Sequence, residues 1–173
     1  MGEFKGAGAV FTNGSTVLAG YQKEDRSPSI NGIGGKRTGT ETYMQTALRE
    51  TIEELFGVRG DFNKLIQAVE LNLVPTKVHK SGDYVLVIYT FKDLDVLMRC
   101  AAVHLKVSPL YTKFPKTLSN LLLDRDANVN PRPEIIHLCI LPVVKGCYID
   151  SQLIEDFSVI NPALQDFMEL PAV

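Results

Sequence analysis

At 173 residues with 45 % apolar side chains, the chain is long enough to bury a real core and is expected to fold as one domain over residues 1–173. Its formal net charge of −2 excludes a global pull toward nucleic acid or anionic membrane. The three cysteines, Cys100, Cys139 and Cys147, lack C-x-x-C spacing, which fits a reduced intracellular protein and excludes a disulfide framework or cysteine-built zinc site. No secretory leader or long apolar run is visible, so a soluble, cytoplasmic chain without a membrane partner is expected.

From the N-terminus, 8–12 (GAVFT), the turn Asn13-Gly14 and 16–22 read as a β-hairpin. A polar loop follows over 24–29. Residues 31–39 carry four glycines, Gly32, Gly34, Gly35 and Gly39, where backbone approaches something closely or turns sharply. A helix begins near Thr42, which forms a capping-box pair with Gln45, and ends before Gly57, which suits the C′ position. The apolar stretch 62–74 reads as one or two strands, Gly82 as a turn, and 84–91 (YVLVIYTF) as a buried strand. Residues 94–106 are expected to be helical, and 118–123 to form a short helix inside the irregular stretch 109–133. Then 134–144 reads as a strand weakened at Pro142, and 150–170 as a C-terminal helix interrupted at Pro162. Strands alternating with helices favour a sheet layered with helices.

The helix over 42–56 concentrates acid. Met44, Ala47, Leu48, Ile52 and Leu55, with Thr51, recur at three- and four-residue steps and form one face. Glu50, Glu53 and Glu54 fall within about 100° of each other on the same wheel. Like charges three and four apart repel, so such a cluster is either solvated or neutralised by a divalent cation.

The spacing Gly35-x5-Glu41-x7-Arg49-Glu50-x2-Glu53-Glu54, closed by Gly57-Val58, resembles the signature of the Nudix hydrolases. The resemblance is strongest from Ala9 to Val58. It departs from the pattern in having two residues, Leu55 and Phe56, before the closing glycine, and Thr51 at a usually aliphatic position. It implies an α+β fold, an α/β/α sandwich with a mixed β-sheet, and hydrolysis of a nucleoside diphosphate linked to another group. It further implies Mg2+, with Mn2+ as an alternative, held by Glu50 and Glu54, by Glu53 directly or through water, and by the Gly35 carbonyl. Arg49 would orient a glutamate, and Glu41 would fix the loop or bind a second metal. Hard oxygen ligands and a metal-activated water agree with pyrophosphate chemistry.

Beyond the signature, Lys36 and Arg37 are placed to meet phosphate. Glu134, Asp83, Glu70, Asp124 and Asp126 are candidates for a further base or ligand, with Glu134 preferred because it opens a strand. His79, His104 and His137 read as structural, His137 as a satisfied core residue. Tyr21, Tyr84, Tyr111 and Phe114 could stack on a base but are as readily core. Lys77, Lys80, Lys106, Lys113 and Lys116 would be needed for an RNA track. The leading reading is an enzyme acting on a small nucleotide substrate (a nucleotide, ADP-ribose or dinucleoside polyphosphate). The stretch also resembles Nudix proteins of large DNA viruses, which offers an mRNA-decapping enzyme with RNA as partner. The non-enzyme reading is a silent nucleotide sensor or scaffold. A homodimer is an open expectation.

Overall fold

The computed structural model describes residues 3–23, 28–144 and 151–160. Two sheets carry the chain. In the first, β4 (Ile33–Lys36), β1 (Gly6–Phe11), β6 (Tyr84–Tyr89) and β5 (Lys77–Ser81) lie in that order. β1 runs antiparallel to β4 and parallel to β6, and β5 runs antiparallel to β6, so the sheet is mixed. In the second, β2 (Thr16–Lys23) lies between β3 (Pro28–Asn31) and β7 (Ile135–Pro142), all antiparallel.

Alternation along β1 and β6 decides the layering. Ala7, Ala9 and Phe11, with Val85, Val87 and Tyr89, pack under α1 (Tyr43–Phe56), α2 (Asn63–Asn72) and α3 (Phe91–Leu105). The opposite-facing Val10, Leu86 and Ile88 meet Leu153 and Phe157 of α5 (Ser151–Ile160), with Val17 and Ala19 of β2. Helices therefore cover both faces of a mixed sheet, the α/β/α arrangement and α+β class expected from the sequence. A short α4 (Leu118–Leu123) buries Leu121 in the larger core. Among the described residues no helix is long and apolar enough to cross a membrane.

Three expectations are corrected. The stretch 62–74 is the helix α2: Leu65, Ile66, Val69 and Leu73 recur at helical steps and are buried, while the intervening Leu71 and Val74 are exposed. The expected hairpin turn forms, with the Asn13 carboxamide oxygen accepting from the Ser15 and Thr16 N–H groups. Its strands part after a single Thr12–Val17 bridge, because both edges of β1 are taken by β4 and β6. The loop expected over 24–29 gives way to strand from Pro28, where β3 begins, β4 forms within the glycine-rich stretch, and β5 is an unforeseen partner for β6. The expected C-terminal helix is seen as Ser151–Ile160. Its continuation through Pro162 and Leu170, the loop residues 24–27 and Cys147 lie outside the described residues.

The helix α1 is locked at both ends. Thr42 and Gln45 form the reciprocal capping box, and Gly57 adopts φ 64 and ψ 32, donating its N–H to the Glu53 carbonyl at 2.8 Å. The two-residue gap before Gly57 lets the helix run through Phe56, and Thr51 is fully buried with its hydroxyl donating to the Ala47 carbonyl at 2.7 Å. A Cβ on Gly57 would stand 2.7 Å from Leu110 Cγ, in a left-handed conformation that other residues resist. Gly57→Ala is therefore expected to cost about 1–3 kcal/mol in urea unfolding. An unchanged midpoint would show that this helix end is free to shift.

Candidate active site

The acidic face of α1 looks onto a cavity of about 540 Å3. Glu50, Glu53 and Glu54 line it from α1, Arg59 from just beyond the Gly57 cap, and Arg132 and Glu134 from the strand-leading stretch before β7. Arg49 organises the near end. Its Nε and Nη2 grip Glu41 at 2.7 and 3.1 Å, its Nη1 meets Glu50 at 2.9 Å and Glu53 at 3.3 Å, and its Nη2 donates to the Lys36 carbonyl at 2.8 Å. This planar, bidentate fork is what a guanidinium does better than an ammonium.

Glu41 also accepts from the Thr38 N–H at 2.8 Å. Burial opposes its ionisation, yet the Arg49 and Thr38 hydrogen bonds outweigh it and hold the carboxyl below the ordinary range. Glu41 thus ties the loop before α1 to Arg49 as a fixed anion. The Glu41 hydrogen bonds, working against burial, in turn raise the pKa of the Arg49 guanidinium.

Glu54 is the opposite case. It is largely buried, its carboxylate accepts the Gly34 N–H at 3.3 Å, and no cation pairs with it among the described residues. Burial, then the charges of Glu50 and Glu134, push its pKa up to about 9. Burial likewise raises Glu50, against the pull of Arg49. Nature's usual answer to carboxylates crowded in this way is a divalent cation.

The donor set fits such an ion. All its groups are hard oxygens on one helix face and on the strand beside it, and Gly35 leaves room for them: a Cβ there would fall inside the Glu50 carboxylate. As they stand, no three His, Cys, Asp or Glu side chains among the described residues are already gathered around one point. Glu50 is held by Arg49 and Glu54 by Gly34, so binding requires these carboxylates to turn from protein donors to the ion.

A second, smaller cavity of about 240 Å3 adjoins the first, with Glu54 and Glu134 lining both. Gln22, Asn31, Tyr84 and the buried Asp156 contribute to its wall. Asn31 donates to the Gln22 carboxamide, and Gln22 donates to Glu134 at 3.2 Å. Burial, then Asp156 and Glu54, raise the pKa of the Tyr84 hydroxyl. Amide and carboxyl groups so arranged can exchange hydrogen bonds with a heterocyclic base.

Other candidates sit elsewhere. Lys36 and Arg37 do not line the larger cavity: the Arg37 guanidinium lies 4.6 Å over the Phe4 ring and its Nε donates to the Glu41 carbonyl at 2.9 Å. Asp83 pairs with Lys5 at 3.5 Å, Glu70 is exposed on α2, Asp124 accepts from Asn120 at 3.1 Å, and Asp126 accepts from the Asn128 N–H at 2.9 Å. His137 is exposed on β7 against Tyr21, not in the core as expected, because it falls on the outward side of the strand. Tyr111 is buried and Phe114 packs on Phe56 at 4.9 Å, so both serve the core.

The residue that sequence reasoning missed is Arg125. Its Nη2 donates to the Glu54 carbonyl at 2.8 Å and to Ile135 at 2.9 Å, its Nη1 to Leu55 at 2.6 Å, and its Nε to Ile136 at 3.3 Å. With Gly57 on Glu53 and the Ser108 hydroxyl on Phe56, every one of the last four carbonyls of α1 finds a donor. Arg125 thereby clamps the helix end that carries Glu54 to the strand start that follows Glu134.

No protein-family model and no curated protein matches the sequence. Among solved structures, the chain is similar to a hydrolase of the NUDIX family from Clostridium perfringens at 12 % identity and a TM-score of 0.40, over 98 % of this chain and 100 % of that one. It is also similar to a bifunctional NMN adenylyltransferase/ADP ribose pyrophosphatase from Francisella tularensis, complexed with AMP and a manganese ion. That likeness is 14 % identity and a TM-score of 0.38, over 95 % of this chain and 42 % of that one. Neither likeness is close enough to assign an activity.

Proposed function

We propose that the chain is a Nudix-type hydrolase that uses a divalent cation, Mg2+ or Mn2+, to cleave a pyrophosphate linkage in a nucleotide derivative. The observation that carries this reading is Glu54: a largely but not fully buried carboxylate with no cationic partner among the described residues, lining one cavity with Glu50, Glu53 and Glu134. Glu50, Glu53, Glu54 and the Gly35 carbonyl are the groups to hold the ion. When bound, the cation would offset phosphate charge and lower the pKa of a coordinated water. Arg49 holds Glu50 and Glu53 beside the cavity, from where Glu50 turns to the ion, and its grip on Glu41 fixes the loop that follows Gly35. Glu134, which lines the same cavity, would take a proton from the attacking water, a role that needs only hydrogen-bond reach in the bound complex. The polar cavity around Asn31 and Gln22 is the site for the nucleoside's base.

The test is a panel of nucleoside triphosphates, ADP-ribose, dinucleoside polyphosphates and cap-labelled RNA, incubated with and without Mg2+ in 18O-water. Products are then identified by mass. Metal-dependent cleavage with label in a phosphoryl product is expected. Release of m7GDP from RNA alone would select decapping, whereas binding without turnover across the panel would select a sensor and sink the enzymatic reading. Gly35→Ala is expected to lower kcat/KM by at least about 100-fold with the fold retained, since it displaces Glu50. Parent-level turnover in that variant would remove Glu50 and Gly35 from the site.

A further inference from the structure

The larger cavity sets four carboxylates, Glu50, Glu53, Glu54 and Glu134, where a polyanionic substrate would have to sit. One cation leaves net negative charge when it sits between that cluster and a phosphate chain, so positive side chains in the cavity wall would favour such a substrate. Of the three arginines that line it, Arg49 is committed, with Nε, Nη1 and Nη2 all engaged by Glu41, Glu50, Glu53 and the Lys36 carbonyl. Arg59 and Arg132 are exposed and engage no hydrogen bond or ion pair among the described residues.

Their backbones, in contrast, are held. Arg59 follows the Gly57 cap, which packs on Leu110, and Arg132 stands between Pro131 and Pro133, whose rings fix φ. Arg59 lies beyond the C-terminal end of α1, and Arg132 precedes Glu134 by two residues. Both thus line the same cavity as the carboxylate cluster. Two guanidiniums, each able to grip a phosphoryl group bidentately, line a cavity whose other charged groups are four carboxylates and an arginine already engaged by glutamates.

We infer that Arg59 and Arg132 form a subsite for phosphoryl groups beyond the scissile anhydride. The substrate is accordingly a compound with a chain of three or more phosphates, rather than a two-phosphate sugar nucleotide. This rests on the hydrolase reading of the same cavity.

The experiment compares nitrogen-bridged di- and triphosphate, which resist hydrolysis, by calorimetric titration in Mg2+ buffer. The parent chain, Arg59→Ala/Arg132→Ala and Arg59→Lys/Arg132→Lys are each titrated. The triphosphate analogue is expected to bind the parent at least about tenfold more tightly than the diphosphate. The alanine variant loses that margin while the diphosphate affinity stays within about threefold, and the lysine variant recovers part of it. In turnover, the alanine variant should raise KM for a nucleoside triphosphate at nearly constant kcat and leave ADP-ribose unaffected. Equal affinity of the two analogues for the parent, or their equal loss or retention in the alanine variant, overturns the subsite. If the parent chain hydrolyses nothing on the panel, the hydrolase reading fails, while the affinity comparison still decides whether the two arginines bind phosphate.

Discussion

Replacing Glu54 by Gln is expected to raise the melting temperature of the metal-free protein and at the same time abolish metal-dependent turnover. In the parent, burial and the neighbouring Glu50 and Glu134 lift the Glu54 pKa from 4.5 to about 9. A carboxyl whose folded pKa lies above its unfolded value adds no penalty below the unfolded pKa. It costs the fold progressively more as pH rises toward the folded pKa, because the unfolded chain gains the ionisation that the folded chain resists. Each pH unit in that window is worth about 1.4 kcal/mol, so over the 2.5 units from 4.5 to pH 7 the penalty is about 3.5 kcal/mol as an order of magnitude. Glutamine fits the same space without that penalty. The expected gain at pH 7–8 in EDTA is roughly 10 °C by scanning calorimetry, shrinking to nothing as pH falls toward 4.5. A variant less stable than the parent at pH 8 would show that Glu54 is already compensated within the protein. Stability gained together with activity lost is the mark of a residue retained for chemistry.

The second large effect is expected at Arg125, which itself lines neither cavity but holds the backbone of Glu54 and Ile135, which do. Arg125→Ala strips donors from the Glu54, Leu55, Ile135 and Ile136 carbonyls at once. A loss of about 3 kcal/mol, or roughly 10 °C in melting temperature, follows from leaving such acceptors without their charged partner. Arg125→Lys should recover little, since one ammonium cannot span carbonyls on a helix end and on a strand. Because the clamp sets Glu54 relative to Glu134, kcat is expected to fall about 100-fold at temperatures where the variant remains folded, with KM changed much less. Full kcat in folded Arg125→Ala would mean that the two walls of the cavity are positioned independently.

These two residues also measure how far the sequence could be read. Glu54 was legible because its neighbours, its helix period and the flanking Gly35, Glu41, Arg49 and Gly57 are all local in sequence. The helix that carries it begins at Thr42 and ends at Gly57, as its capping residues foretold. Arg125 was not legible. Its acceptors come from residues 54, 55, 135 and 136, and nothing beside it in the chain distinguishes it from a solvated cation. The same non-local logic separated β1 from β2, since an Asn-Gly turn fixes a reversal but not the partners of the strands it joins. In α2 and just beyond it, Leu71 and Val74 are exposed yet apolar, where a helix's solvent side is usually polar, so a helix resembled a strand. In the sequence, Lys36 and Arg37 stand where they could meet phosphate. The fold instead turns Arg37 onto Phe4 and brings Arg59 and Arg132 into the cavity.

The central claim is that the acidic face of α1 is completed by a divalent cation. Its most direct test is a Mn2+ titration followed by electron paramagnetic resonance, on the parent chain and on Glu50→Gln/Glu54→Gln, with circular dichroism as the control for folding. The account predicts saturable Mn2+ binding by the parent, displaced by Mg2+, and its loss in a variant that remains folded. Equal binding by both proteins, or none by the parent, would contradict it.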